Sequence, residues 1–473
     1  MSAPLFISNK CSFTKRDSLG LQSLSSSLQA QACPIINVVT WHPFYWAFLI
    51  WNYYYYYYQN PNIKERSDSD FNENCVKVND FFFIVANYLN GTTDGVVGRT
   101  KIEDMFQNKD EHECFAFDKS YYSSRFGGMQ YYNFGCFEMN YVRKEGNTNK
   151  VNIEASKIKF KEEFDSAISN TAVYKNYISK NIPLNNLTKE ELIELSEYLN
   201  FSMDKLGGIK EMIYESLFKR DKLKQIEKYI NLLLKYNLLS RDDFYKEKEL
   251  RQALYGDKQP AILDKQFADT ISKETIVSWE LIIANQFYVT CVELIWKYVL
   301  SILTVPVSKD EWVNLTFEKS IEIELDRELL SVEKELTVEE TIDRISNGSN
   351  NRTLSNVLAV LMSIYHRFKD REKDFTCLDT RRNSEYYVFD LVKRIKSGEL
   401  KTERDLFCHL IEHRIIERHE YVAMKKRYAG RDGYFFEKVD NQYKSIGRDD
   451  FTVSRPPLRI SNVFCVLSDL GKI

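Results

Sequence analysis

The residues best suited by type and spacing to do chemistry are His409-Leu-Ile-Glu412-His413. Histidines four apart share one face of a helix, and a glutamate beside them could activate a metal-bound water, as in the inverted zinc-peptidase string. The helix that must carry them argues against this. At about 100° per residue, Leu406, Phe407, Leu410, Ile411, Ile415 and Val422 form the apolar arc. His409 and Glu412 fall opposite that arc and His413 at its edge, so the sequence predicts a solvated face rather than a metal site. Only 60 residues follow His413, which is short for a third ligand and the rest of a peptidase domain.

Other chemistries have weaker signatures. Asp242, Asp243, Glu247 and Glu249 with Lys246 resemble a nuclease cluster, but the chain is 28% charged and such clusters arise freely on solvated segments. The glycine-rich run Asn90 to Lys101 fits neither a phosphate-binding loop nor a dinucleotide fingerprint, and no G-x-S-x-G elbow occurs. The nine cysteines are scattered, without a C-x-x-C or zinc spacing. No cofactor is expected, and the thiols read as reduced, in a cytoplasmic protein. Met1 to Gly20 lacks the apolar stretch of a secretory signal.

Charge is nearly balanced overall, at −3, which excludes a globally basic nucleic-acid coat. It is uneven along the chain. From Arg381 to Ile473 there are 19 Lys and Arg against 14 Asp and Glu. The densest run is Lys425-Lys426-Arg427, followed by Arg431, and it suits a phosphate contact or a winged-helix module. Aromatic residues make up 14% of the chain. Trp41, Tyr45 and Phe48 follow helical spacing in a stretch, 33 to 62, that has no charged residue at all. Stacking platforms for nucleic acid normally sit beside Lys or Arg. These rings are therefore expected in a core or a permanent protein interface.

The elements that position these residues read as helices. Leu21, Leu24 and Leu28 give an amphipathic helix that Pro34 should end, and a second helix should start near Pro43. Val78 to Leu89 reads as a third, with a strand near Phe137 to Val142. Thr188-Glu191, Ser308-Glu311, Thr337-Glu340 and Thr402-Asp405 are cap pairs. Lys222 to Leu239 and Ile276 to Leu303 are long helices, and Phe435 to Lys444 alternates like a hairpin. Glu280, Glu293 and Lys297 interrupt the most hydrophobic helix, so no membrane span is expected. Polar stretches at 145–150 and 346–351 predict three domains: an aromatic-rich helical one (1–148), a central bundle (149–346) and a helical module with a hairpin and terminal helix (352–473).

Both chain ends also carry a resemblance. Asp17-Ser-Leu-Gly20-Leu21, Pro34-Ile-Ile-Asn37, Thr40, Tyr45 and Trp51 open the chain, and His419, Lys425, Arg455-Pro-Pro-Leu-Arg459 and Leu467-Ser-Asp469-Leu-Gly471-Lys-Ile473 close it. Together they resemble uncharacterised bacterial proteins of mobile-element and phage-defence islands. The sequence departs from that group where Ile35-Ile36 replaces a more usual glycine. The resemblance implies a component of a multi-gene system and assigns no catalytic residue. The expectation is a mainly α, multi-domain protein with a small β-hairpin and a winged-helix-like C-terminal module. Its expected role is a non-catalytic subunit of an anti-phage or anti-plasmid complex, docking on an ATPase or nuclease from the same operon through Trp41, Tyr45 and Phe48. The alternatives are a nucleic-acid sensor using Lys425, Lys426, Arg427 and Arg431, and a nuclease or metallopeptidase effector.

Overall fold

The computed structural model describes residues 12–13, 17–59, 67–91, 96, 98, 102–103, 114–117, 130–145, 148–151, 159–199, 206–256, 271–320, 326–332, 338–347, 353–381, 384–429, 431–446, 453 and 455–473. The protein is mainly α-helical, with two antiparallel strand pairs and two short pairings of two-residue strands among these residues. The chain forms two compact units that are discontinuous in sequence. The first comprises Met1–Ala32 and Leu233–Pro457, the second Cys33–Leu232 and Leu458–Ile473.

These divisions differ from the breaks at 145–150 and 346–351. The first of those stretches falls within an antiparallel strand pair, Val142–Glu145 with Thr148–Val151, inside the second unit. Of the second, residues 348–351 lie outside the described ones. The Phe436–Val439/Gln442–Ser445 hairpin belongs to the first unit and the terminal helix Arg459–Asp469 to the second. The two parts of the expected winged-helix-like module thus sort into different units.

The first unit is organised around the helix Lys273–Ile302. It runs about 45 Å at 1.5 Å per residue. The helices Leu21–Ala32, Glu247–Tyr255, Lys309–Lys319, Val338–Asn347, Thr353–Phe368 and Val388–Lys396 all pack on it. A helix apolar on all sides is a core helix or a span. Among the described residues it is the one helix long and apolar enough to cross a membrane, and 89% of the qualifying window is buried within the protein. Glu280, Gln286 and Glu293 along it are held by other elements. Arg371 clamps both Glu280 oxygens at 3.0 and 2.7 Å, and Arg367 adds a third bond at 2.6 Å. Gln286 accepts from Arg251 and donates to the Pro456 carbonyl at 3.2 Å. Glu293 accepts from the Gln22 amide at 2.9 and 3.2 Å. Burial pushes its carboxyl up to about 8, so near neutral pH it is largely protonated.

The second unit is built on aromatic packing. The helix Phe44–Tyr54 is buried along nearly its whole length and runs on as a π-helical turn, Tyr55–Gln59. Phe44 stacks on Phe83, Phe48 on Trp51 and Tyr45 on Tyr132, at 5.2, 5.8 and 4.6 Å between ring centres. Gly135 lets the Gln130–Glu138 helix approach Trp46, because a Cβ there would lie 2.3 Å from the indole nitrogen. Tyr45 is fully buried and Phe48 is 2% exposed, while half-buried Trp41 donates its indole N–H to the Val38 carbonyl at 3.2 Å. Tyr45 and Phe48 are core, which corrects their assignment as a docking surface: a charge-free aromatic helix finds its partners in its own fold.

Local signals translate directly. The caps at Thr188, Ser308 and Thr402 are reciprocal boxes, while Thr337 is outside the described residues. Gly471 follows the terminal helix with φ +69°, the left-handed region that glycine tolerates. Helices over Lys77–Leu89 and Asp221–Lys235 match the sequence reading, but the strand expected near Phe137 begins only at Val142, because the Gln130–Glu138 helix occupies the stretch before it. The aromatic core gives a test. Phe48→Ala should lower the stability of the second unit by about 3–5 kcal/mol, read as a shift in the urea unfolding midpoint of the full chain. An unchanged midpoint would return Phe48 to the surface.

Candidate nucleic-acid interface

The basic run lies on the helix Glu417–Tyr428, which follows a π-helical segment, Leu410–Ile416. Its rotation about its axis is set by an N-terminal strap, residues 17–20. Three consecutive strap carbonyls accept from three side chains of the helix. Lys426 donates to Asp17 at 3.0 Å, His419 Nδ1 to Ser18 at 3.2 Å, and Arg418 Nε to Leu19 at 2.9 Å. Buried carbonyls need donors, and these satisfy them. Gly20 makes the close approach feasible. It has φ +65°, and a Cβ there would meet Val422 and Arg418 at 3.1 and 3.2 Å. The Asp17 carboxylate then caps the following helix, accepting from the amides of Gln22 and Ser23 at 3.1 and 3.0 Å. Upstream, Ser12–Phe13 pairs in parallel with Arg431–Asp432.

His419 is the centre of this junction. Its Nε2 accepts from the Phe435 amide at 3.1 Å, so the proton sits on Nδ1, facing the Ser18 carbonyl. Its ring lies 4.9 Å from Trp296 and 5.0 Å from Phe436. The Trp296 indole in turn donates to Ser18 Oγ at 3.2 Å. Burial, and behind it the Lys426 charge, holds the imidazole down to about 4, so it is neutral.

The consequence is an inverted helix. Arg418 and His419 are buried, whereas Tyr421 and Met424 are each 43% exposed and Tyr428 is 86% exposed. Residues 421, 424 and 428 share one face at i, i+3, i+7 spacing, with residues 425 and 427 at its two margins. Lys425 is exposed with its ammonium 4.4 Å from the Tyr421 ring centre, and Arg427 is exposed on the other margin. Glu420 on the same face pairs with Lys438 of the hairpin at 3.4 Å. The hairpin turns through Asp440 and Asn441, both at positive φ as its two-residue turn requires, and exposes Lys444.

Of the four basic residues singled out by sequence, Lys425 and Arg427 thus face solvent. Lys426 is engaged with the strap, and its stem runs over Gly433, where a Cβ would lie 2.7 Å from Cδ. Arg431 takes part through its backbone in the short parallel pairing. The stripe Tyr421, Met424, Tyr428 was missed by the sequence reading. Its spacing is visible there, but such spacing ordinarily marks a buried face.

In the H-x-x-E-H string the His409 and His413 ring centres are 5.4 Å apart. His413 is exposed and its Nδ1 bonds Glu417 Oε2 at 2.9 Å, while Glu417 also takes Lys309 at 2.8 Å. His409 is half-buried, and burial with nearby Arg414 and Arg394 holds it down to about 4. Glu412 is half-buried. Among the described residues no group of three or more His, Cys, Asp or Glu is arranged to hold a metal ion. The carboxylates at 242–249 serve locally. Asp243 accepts from the Ser240 amide at 2.8 Å, and Glu247 pairs with Arg251.

No family model matches the chain, and neither a curated protein nor a solved structure matches it.

The neutral buried histidine has a signed consequence. Its folded value lies below the ordinary 6.5, so the unfolded chain binds more protons between those values. This contribution to stability is complete above about pH 6.5 and is lost as pH falls towards 4. The His419→Gln variant lacks the titration. The stability advantage of the native chain over it should therefore shrink from pH 6.5 to 4, followed by urea midpoints. A constant difference would place His419 in solvent.

Proposed function

We propose that the protein is a non-catalytic nucleic-acid-binding component that contacts the phosphate backbone through the helix Glu417–Tyr428 and the adjoining hairpin. The observation that carries this reading is the outward display of Lys425 and Arg427, while the neighbouring acids Glu417 and Glu420 are paired with cations. Exposed cations that meet phosphate release counterions from nucleic acid and so gain affinity. Glu437 and Asp440 are also exposed on the hairpin, which points to a local contact rather than a broad basic surface. A binding role over hydrolysis is favoured by the pairing of His413 with Glu417 and by the lack, among the described residues, of any group of three or more His, Cys, Asp or Glu arranged to hold a metal ion.

In the setting that the two chain ends suggest, a bacterial anti-phage or anti-plasmid complex, such a component would bring a nucleic-acid strand to an ATPase or nuclease encoded beside it. Tyr45 and Phe48 do not supply the docking surface for that partner, because they are engaged in the core of the second unit.

The test is the salt dependence of oligonucleotide binding, read by fluorescence anisotropy on the full chain. Each phosphate contact contributes a slope of about −0.7 to −0.9 in log K against log salt. Reversing Lys425 and Arg427 to Glu should weaken binding and flatten the slope by about one to two units. An unchanged slope with unchanged affinity contradicts the reading.

A further inference from the structure

A face that only neutralises phosphate needs no aromatic residues, and cations in a last helical turn also complement the helix dipole without any ligand. Neither reason accounts for Tyr421, Met424 and Tyr428. Large apolar side chains at i, i+3, i+7 normally turn inward. Here the strap takes the opposite face, and the stripe lies in solvent, with Tyr428 the most exposed large hydrophobic side chain of the described residues at 86%. Its margins carry Lys425 and Arg427, so the arrangement is rings between cations.

We infer that this stripe is a stacking platform for single-stranded nucleic acid, with Tyr428 receiving an unpaired base and Lys425 and Arg427 holding the flanking phosphates. The inference rests on the proposed nucleic-acid reading and narrows it to one class of strand. Duplex DNA keeps its bases stacked on each other and offers a protruding tyrosine only phosphates and groove edges. A single strand offers base faces, and every base has one, so stacking beside cations binds without a sequence code. Lys425 lies against Tyr421, which leaves Tyr428 as the open ring, while Met424 and Tyr421 extend the apolar floor. An acidic polypeptide satisfies the cations but has no flat group to place on Tyr428.

The experiment compares a thymine-rich 12-mer single strand, the same length of duplex, and polyglutamate as competitor, using the full chain, Tyr428→Ala, Tyr421→Ala/Tyr428→Ala and Tyr428→Phe. All these substitutions are on exposed side chains, and a thermal melt of each variant checks the fold. The expected result is tighter binding to the single strand than to the duplex, about tenfold loss of single-strand affinity on Tyr428→Ala, and further loss in the double variant. The salt slope should be unaltered, and Tyr428→Phe should bind like the native chain because the ring is kept. Equal losses for single strand and duplex, or no loss on removing the rings, overturn the inference while leaving the phosphate reading in place. Polyglutamate competing as well as the single strand assigns the face to an acidic protein and overturns it too. Binding to neither oligonucleotide removes both readings.

Discussion

Three consecutive backbone carbonyls, those of Asp17, Ser18 and Leu19, have to find donors when the strap is buried. They find Lys426, His419 and Arg418, which fixes the rotation of the Glu417–Tyr428 helix. Burying an unpaired carbonyl costs about 1–3 kcal/mol. The Asp17 carbonyl also accepts from the Gly20 amide at 3.2 Å, while those of Ser18 and Leu19 are met from the helix by His419 and Arg418, and the apolar side is left outside. His419 does more than donate. By accepting from the Phe435 amide it also ties the start of the hairpin to the strap, so helix, hairpin and strap are positioned by one imidazole. The exposed tyrosines are therefore a result of how the first unit closes, and the nucleic-acid contact we propose would give that result a use.

The same rule governs the interior of the first unit. The Lys273–Ile302 helix is surrounded on all sides, so its buried charged groups and Gln286 take particular partners from other elements. Glu280 has Arg367 and Arg371, Gln286 has Arg251 and the Pro456 carbonyl, and Glu293 has Gln22. Such pairs do little for net stability compared with an apolar core, but each is expensive to break once buried. They bring in residues from both sequence segments of the unit, which is how residues 17–32 come to be part of a structure otherwise made from 233–457. In the second unit the work is done by rings. Phe44, Phe48 and Trp51 from one helix meet Phe83 and Phe164, so the charge-free stretch is internal.

Much of the local structure was legible in the sequence because it is set locally. Thr188, Ser308 and Thr402 cap helices through residues three positions on, and Asp440-Asn441 turns a hairpin by its own backbone preference. The core status of Tyr45 and Phe48 was half legible, since the lack of nearby charge argued for burial but could not choose between core and interface. The candidate face was legible only in its cations. Its aromatic stripe depends on donors to residues 17–19, some 400 positions away in sequence, and no periodicity in 417–428 carries that information. The wheel drawn at 100° per residue also assumed an unbroken α-helix. The π-helical turn at Leu410–Ile416 shifts the phase and takes Arg414 and Arg418 inside with the aliphatic residues. The discontinuous units were illegible for the same reason, because the contacts that define them join distant segments.

The central claim is that the strap turns Tyr428 and its neighbours outward to meet a nucleic-acid strand. The most direct measurement is photo-crosslinking of the full chain to a single strand carrying 4-thiothymidine, with the adducts mapped by peptide mass spectrometry. The account expects adducts on the helix Glu417–Tyr428, concentrated at Tyr428. Adducts on other segments with none on this helix would contradict it.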